Sequence, residues 1–89
     1  MTSVENTPDI TMYSTMMCPY CRAARQFFEE QGWQYEDIRV DLKPKLRMEM
    51  MEKANGGHTV PQIWINGTHV GGYTDMVAMA RSGELEALL

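Results

Sequence analysis

Two β-prone runs near the start of the chain, Ile10 to Ser14 and Trp33 to Val40, are separated by one helical run. No other feature restricts the fold as much. Strands joined through a helix pair in parallel, and the crossover between them is right-handed. The helical run is sharply bounded. Pro19 suits a first helical turn, where its missing N–H costs nothing. Ala24, Phe27 and Phe28 recur at i, i+3, i+4 and make an apolar face. Gly32 stands where a left-handed residue ends a helix.

The rest of the chain is punctuated in the same way. Pro44 opens a second helix with Leu46, Met50 and Ala54 on one stripe, and Asn55-Gly56-Gly57 closes it. Asn66-Gly67 between two β-prone runs is a hairpin signal. Gly71-Gly72 breaks the second of those runs. Asp75 lies near the start of a third helix reaching about Arg81, where an acid suits the helix dipole. Gly83 stops that helix, and Leu85, Leu88 and Leu89 predict a last helical turn packed on the core. The order is β-α-β-α-β-β-α plus a short C-terminal helical turn. It predicts an α/β, thioredoxin-like fold: a four-stranded mixed sheet flanked by helices.

With 89 residues, one domain over 1–89 is expected, with a polar N-terminal tail over 1–8. A net charge of −4 argues against general nucleic-acid binding. No apolar run approaches the ~20 residues that span a bilayer. The polar start has neither a basic nor an apolar stretch, so a secretory signal is not expected and a cytoplasmic home is.

The chain has two cysteines, Cys18 and Cys21, at the predicted strand–helix junction. Two neighbouring cysteines are not a disulfide framework, which leaves redox chemistry or metal binding. A helix N-terminus presents free N–H groups and partial positive charge, which stabilise a thiolate. Cys18 sits at that mouth and Cys21 lies within the first turn, deeper. Their spacing closes a disulfide with little backbone movement. Cys18 is therefore read as the nucleophile and Cys21 as the resolving thiol, with Pro19 stiffening the turn. Arg22 and Arg25 follow one turn on; each either adds positive potential or belongs to a solvated helix face, and for Arg25 the solvated face is the expectation. The metal alternative would need His58 and His69, whose spacing fails the usual zinc pattern. His58 is expected in a loop and His69 on an edge strand. No metal site is expected.

Three motifs together resemble one family. Cys18-Pro19-Tyr20-Cys21, the run Thr59 to Gly67 (TVPQIWING) and the run Gly71 to Asp75 (GGYTD) are similar to those of dithiol glutaredoxins of the small bacterial type. The resemblance extends from about Ile10 to Leu89. It implies a glutathione-dependent thiol-disulfide oxidoreductase, with glutathione as co-substrate and no tightly bound cofactor. Its implied potential is about −200 to −230 mV. It further implies that Pro61 is preceded by a cis peptide bond and lies against the cysteines. Val60 would offer backbone N–H and C=O to the cysteine of glutathione, with Thr59 beside it. Gly72 and Thr74 would form the turn for the γ-glutamyl carboxylate, and Asp75 would pair with its amino group. Arg47 would hold the glycine carboxylate, and Tyr20 would pack on the ligand.

Thr15 departs from the pattern: many members have a lysine there, and its absence weakens the grip on the thiolate and the glycine carboxylate. The nine methionines are core fillers by default. For Met16 and Met17 a place along the substrate groove stands open beside that. Implied partners are glutathione and glutathionylated or disulfide-containing proteins, ribonucleotide reductase among them; nucleic acid and membrane are not expected, and a monomer is. Two further readings stand beside the enzyme. One is an iron–sulfur cluster carrier using Cys18 and external glutathione, which Pro19 disfavours and visible absorption would reveal. The other is a redoxin served by thioredoxin reductase, against which the GG-x-x-D turn argues.

Overall fold

The computed structural model describes residues 8–89, so the polar tail assigned to 1–8 lies, except for Pro8, outside the described residues. The elements are β1 (Ile10–Ser14), α1 (Pro19–Gln31), β2 (Glu36–Arg39), α2 (Pro44–Lys53), β3 (Gln62–Ile65), β4 (Thr68–Gly71) and α3 (Tyr73–Ser82). A 3₁₀ turn, Glu86–Leu88, follows. The sheet order is β2-β1-β3-β4. β1 and β2 are parallel, and β1–β3 and β3–β4 are antiparallel. The mixed thioredoxin-like sheet read from the punctuation is the one observed.

Side chains of β1 and β3 alternate between two apolar layers, as the two-residue period of a strand requires. Ile10, Met12, Ile63 and Ile65 join Ala24 and Phe28 of α1 and Met76 of α3 on one face. Tyr13 joins Val40 and Met50 on the other, with Leu46 and Trp64 packed against them. Phe28 is fully buried, which contributes about 1.5–3 kcal/mol relative to exposure. The Tyr13 hydroxyl donates to Glu49 Oε2 at 2.6 Å and accepts from Lys53 Nζ at 3.3 Å, tying α2 to the sheet. Burial, and then Glu49, push this phenol well above its ordinary value.

Three expectations need correction. The second strand begins at Glu36, not Trp33. Gly32 is left-handed, and the N–H groups of Gly32 and Trp33 donate to Glu29 and Phe28 carbonyls, so Trp33 is committed to closing α1. Leu85 is buried and Leu88 packs on the core, but Leu89 is exposed. Met12, Met50 and Met76 fill the core as expected, whereas Met16, Met17, Met48 and Met51 are exposed.

The hairpin residue Asn66 does more than turn the chain. Asn66 and Gly67 both have positive φ, 50° and 86°, as a two-residue turn of this kind requires. The Asn66 Oδ1 accepts from the Asp9 N–H at 2.8 Å, and its Nδ2 donates to the Leu88 carbonyl at 2.7 Å. One turn side chain therefore holds both the entry to β1 and the C-terminal turn.

Candidate active site

Cys18 is the N-cap of α1, in extended conformation, with Pro19 in the first turn. Its Sγ accepts from the Cys21 backbone N–H at 3.1 Å. This uses one of the donors that a helix leaves unsatisfied at its start. The same sulfur lies 3.7 Å from the Val60 carbonyl, a contact across 42 residues that joins the thiol loop to the segment before Pro61. The Val60–Pro61 peptide bond is cis, as the resemblance implied. Both cysteines are free and buried.

Cys21 is fully enclosed, and its thiol is pushed up to about 12. Burial is the first cause and the hydrogen bond with Cys18 the second; the Thr15 backbone and Arg25 oppose them. A raised value means a neutral thiol across the physiological range, so Cys21 does not compete as a nucleophile. Iodoacetamide applied between about pH 6 and 9 should therefore alkylate Cys18 and spare Cys21. Peptide mapping by mass spectrometry checks this, and equal labelling of both thiols at neutral pH would contradict the assignment.

Arg25 is not a solvated residue. Its Nε donates to Asp37 Oδ2 at 2.7 Å, and its Nη2 donates to Ser14 Oγ at 3.0 Å. Ser14 in turn donates to Asp37 Oδ1. Fully buried Ser14 and part-buried Arg25 and Asp37 together close a polar cluster. Arg22 is exposed on the helix, in keeping with a solvated face.

A groove of about 550 Å³ runs along the open side of this junction. Of the residues singled out from sequence, Tyr20, Thr59, Val60, Pro61, Gly72, Thr74 and Asp75 line it. Thr15 and Arg47 are not among its walls. Thr15 faces Cys21 through its backbone. Arg47 Nη2 donates to the His58 carbonyl at 3.1 Å, which braces the loop leading to Val60. The Tyr20 ring stacks on Tyr73, with centroids 6.2 Å apart. Asp75 Oδ2 accepts from the Gly72 N–H at 2.9 Å, so the acid caps its own helix as well as facing the groove. Gly71 is required there: its φ is +106°, and a Cβ would stand 2.5 Å from Asp75 Oδ2.

Sequence reading missed Gln62 and His69 in the groove wall. Gln62 is buried; its Oε1 accepts from His69 Nε2 at 2.7 Å, and its Nε2 donates to the Thr59 carbonyl at 3.0 Å. His69 stacks on Trp64, centroids 4.5 Å apart. Counting back from the two-residue hairpin pairs His69 with Trp64, so this contact was available in principle. His58 lies in the loop before Thr59 and His69 on the edge strand, as expected. Among the described residues no three His, Cys, Asp or Glu side chains gather as a ligand set. None of the described helices is long and apolar enough to cross a membrane.

Comparison with known proteins agrees with this geometry. The family model described as glutaredoxin matches residues 10–70. The chain is 49% identical over 82 residues to the glutaredoxin of Pseudomonas aeruginosa, covering 92% of this chain and 96% of that protein. It is 35% identical over 81 residues to glutaredoxin 3 of Escherichia coli, covering 91% and 96%. Among solved structures, the solution structure of glutaredoxin from Brucella melitensis is similar at a TM-score of 0.78 and 37% identity, covering 93% of this chain and 89% of that one. A crystal structure of a buckwheat glutaredoxin–glutathione complex is similar at a TM-score of 0.81 and 26% identity, covering 98% and 81%. A paired-thiol helix mouth, a groove beside it and relatives alike over nearly their whole length lead to one conclusion: the chain belongs to the glutaredoxin family, the glutathione-dependent oxidoreductases of thiols and disulfides.

Proposed function

We propose that this chain reduces protein–glutathione mixed disulfides with Cys18 alone, and protein disulfides with Cys18 followed by Cys21. The observation that carries the reading is the Cys18 sulfur, held by the Cys21 N–H and 3.7 Å from the carbonyl of Val60, a residue that lines the groove together with Thr74 and Asp75. The glutathione complex of the buckwheat relative supports glutathione as the groove's occupant.

In the first reaction the Cys18 thiolate attacks the glutathione sulfur of the mixed disulfide. The sulfur–sulfur bond to the protein breaks, and the protein thiolate leaves and takes up a proton. Cys18 is then disulfide-bonded to glutathione. A second glutathione thiolate attacks that glutathione sulfur, giving glutathione disulfide and restoring the Cys18 thiolate. With a protein disulfide, Cys18 first becomes bonded to the protein. Cys21 then loses its proton and attacks the Cys18 sulfur, which releases the protein dithiol and leaves Cys18–Cys21 oxidised for glutathione to reduce.

Glutathione lies along the groove in this reading. Its cysteine backbone pairs with Val60 beside Thr59 and Pro61, and Tyr20 covers it. Its γ-glutamyl carboxylate meets the Thr74 N–H near Gly72, and its ammonium meets Asp75. Arg47 serves the glycine carboxylate with the N–H groups it does not give to His58, and Thr15 contributes no cation. The enzyme works as a monomer in the cytoplasm, where the glutathione pool is reducing. Ribonucleotide reductase is one substrate of the protein-disulfide class.

The deciding assay compares reductants. NADPH, glutathione reductase and glutathione should sustain turnover of a glutathionylated protein, whereas NADPH with thioredoxin reductase should not. Turnover with thioredoxin reductase alone would overturn the glutathione assignment.

A further inference from the structure

The Gln62 side chain is buried in the wall of the groove, where an amide is costly unless both of its ends are bonded. Both are. Oε1 accepts from His69 Nε2 at 2.7 Å, and Nε2 donates to the Thr59 carbonyl at 3.0 Å and lies 3.4 Å from Thr59 Oγ1. The sheet explains how His69 arrives there. Gln62 and Trp64 share a face of β3, and His69 stands opposite Trp64 on β4. Its ring stacks on Trp64, and its Nε2 reaches the diagonal neighbour Gln62. Gly57 lets the loop close over the amide, since a Cβ there would stand 3.1 Å from Gln62 Nε2. From the side of α2, Arg47 holds the preceding carbonyl, that of His58.

We propose that Gln62 and His69 are positioning residues for glutathione: the Gln62 amide, oriented by His69, fixes the peptide unit that carries the Val60 N–H. The inference rests on the reading above in which the Val60 backbone pairs with the cysteine of glutathione. The Thr59 carbonyl and the Val60 N–H belong to one planar peptide unit and point in opposite directions across it. Anchoring the carbonyl on Gln62, inside the wall, therefore aims the N–H away from the wall. The orientation of the amide is set by His69. Turned over, Gln62 would present its oxygen to the Thr59 carbonyl oxygen and its NH₂ to the His69 donor, which leaves two acceptors and two donors facing each other. An imidazole presents that donor both as the imidazolium and as the Nε2–H tautomer. The thiol is held separately. Its donor is the Cys21 N–H on α1, outside this chain of bonds. Loss of His69 should therefore loosen the grip on glutathione and leave the reactivity of Cys18 in place.

The test uses two substrates with the intact protein: a short peptide whose one cysteine is glutathionylated, and the same peptide as a mixed disulfide with mercaptoethanol. The leaving thiol is the same, and only the first has a backbone for Val60 to meet. His69→Phe keeps a flat ring for Trp64 and removes the donor to Gln62. It should lower kcat/KM for the glutathionylated peptide about fivefold, the net worth of one neutral hydrogen bond, and leave the mercaptoethanol substrate unaffected. His69→Gln carries an N–H near the position of Nε2 and should restore most of the loss. Gln62→Met should fall at least as far as His69→Phe, and the double variant no further than Gln62→Met, because His69 acts only through Gln62. A His69→Phe protein that handles the glutathionylated peptide normally, or slows both substrates equally, overturns the positioning role. Additive losses in the double variant overturn the path through Gln62. An unmodified protein that turns over both substrates with equal kcat/KM overturns instead the glutathione reading beneath.

Discussion

Cys18→Ser should abolish thiol transfer with every substrate, a loss on the order of 10³-fold or more. A hydroxyl at the helix mouth keeps the hydrogen bond from the Cys21 N–H but is not ionised at neutral pH, so it does not attack sulfur. Cys21→Ser separates the two chemistries. The donor that supports the Cys18 sulfur is the backbone of residue 21, not its side chain, and it survives the substitution. Removal of glutathione from proteins should therefore persist. Reduction of protein disulfides should fail, because the enzyme remains trapped as a mixed disulfide with its substrate. Mass spectrometry should find that adduct with Cys21→Ser and not with the unmodified protein. Equal losses in both variants and both assays would sink the division of roles.

The second large effect is expected at Asp75, whose carboxylate caps α3 and, in the proposed reading, also holds the ligand ammonium. Oδ2 is engaged by the Gly72 N–H, and the residue lines the groove. If Asp75 pairs with the ligand ammonium as proposed, Asp75→Ala should remove a charge-assisted hydrogen bond, generally worth ~1.5–3 kcal/mol. Because Asp75 is exposed, screening places the effect at the low end, about tenfold in KM for a glutathionylated substrate. The same change strips the first turn of α3 of its cap, a loss of about 0.5–2 kcal/mol visible as a lower Tm. Asp75→Asn distinguishes the two. Its amide oxygen still accepts from Gly72, so Tm should hold, while KM should rise nearly as far as with alanine because the charge is gone. An unchanged KM in both variants would place the γ-glutamyl end elsewhere. A Tm that falls equally in both would mean that the charge on the helix dipole, rather than the hydrogen bond, supports α3.

The two parts of Asp75 mark the limit of what the chain makes legible. Local conformational rules set the elements. Pro19 and Pro44 fix φ at helix starts, Gly32 and Gly83 supply left-handed ends, and Asn66-Gly67 turns a hairpin. Each acts through the sterics of a few adjacent residues, so each is readable in place. The pair Cys18 and Cys21 is readable for the same reason: three residues of spacing put one sulfur at the helix mouth and the other inside the first turn. The motifs at Thr59 to Gly67 and Gly71 to Asp75 placed the groove.

Tertiary structure alone decided the partners. Arg25 looked like a surface charge because its own helix offers it nothing. The parallel pairing of β1 with β2 brings Asp37 alongside, with Ser14 between, and turns it into a buried-side anchor. Gln62 and His69 acquire their role only once the hairpin lays one beside the other against the loop of Thr59. Met12 and Met17 are the same residue type five positions apart, yet one is fully buried and the other almost fully exposed. Periodicity ends where a strand gives way to a loop, and beyond that point exposure is set by which distant segment covers the residue. Here Asp41 arrives beside Met16 and ties down its backbone, and nothing among the described residues arrives to cover the side chain of Met17.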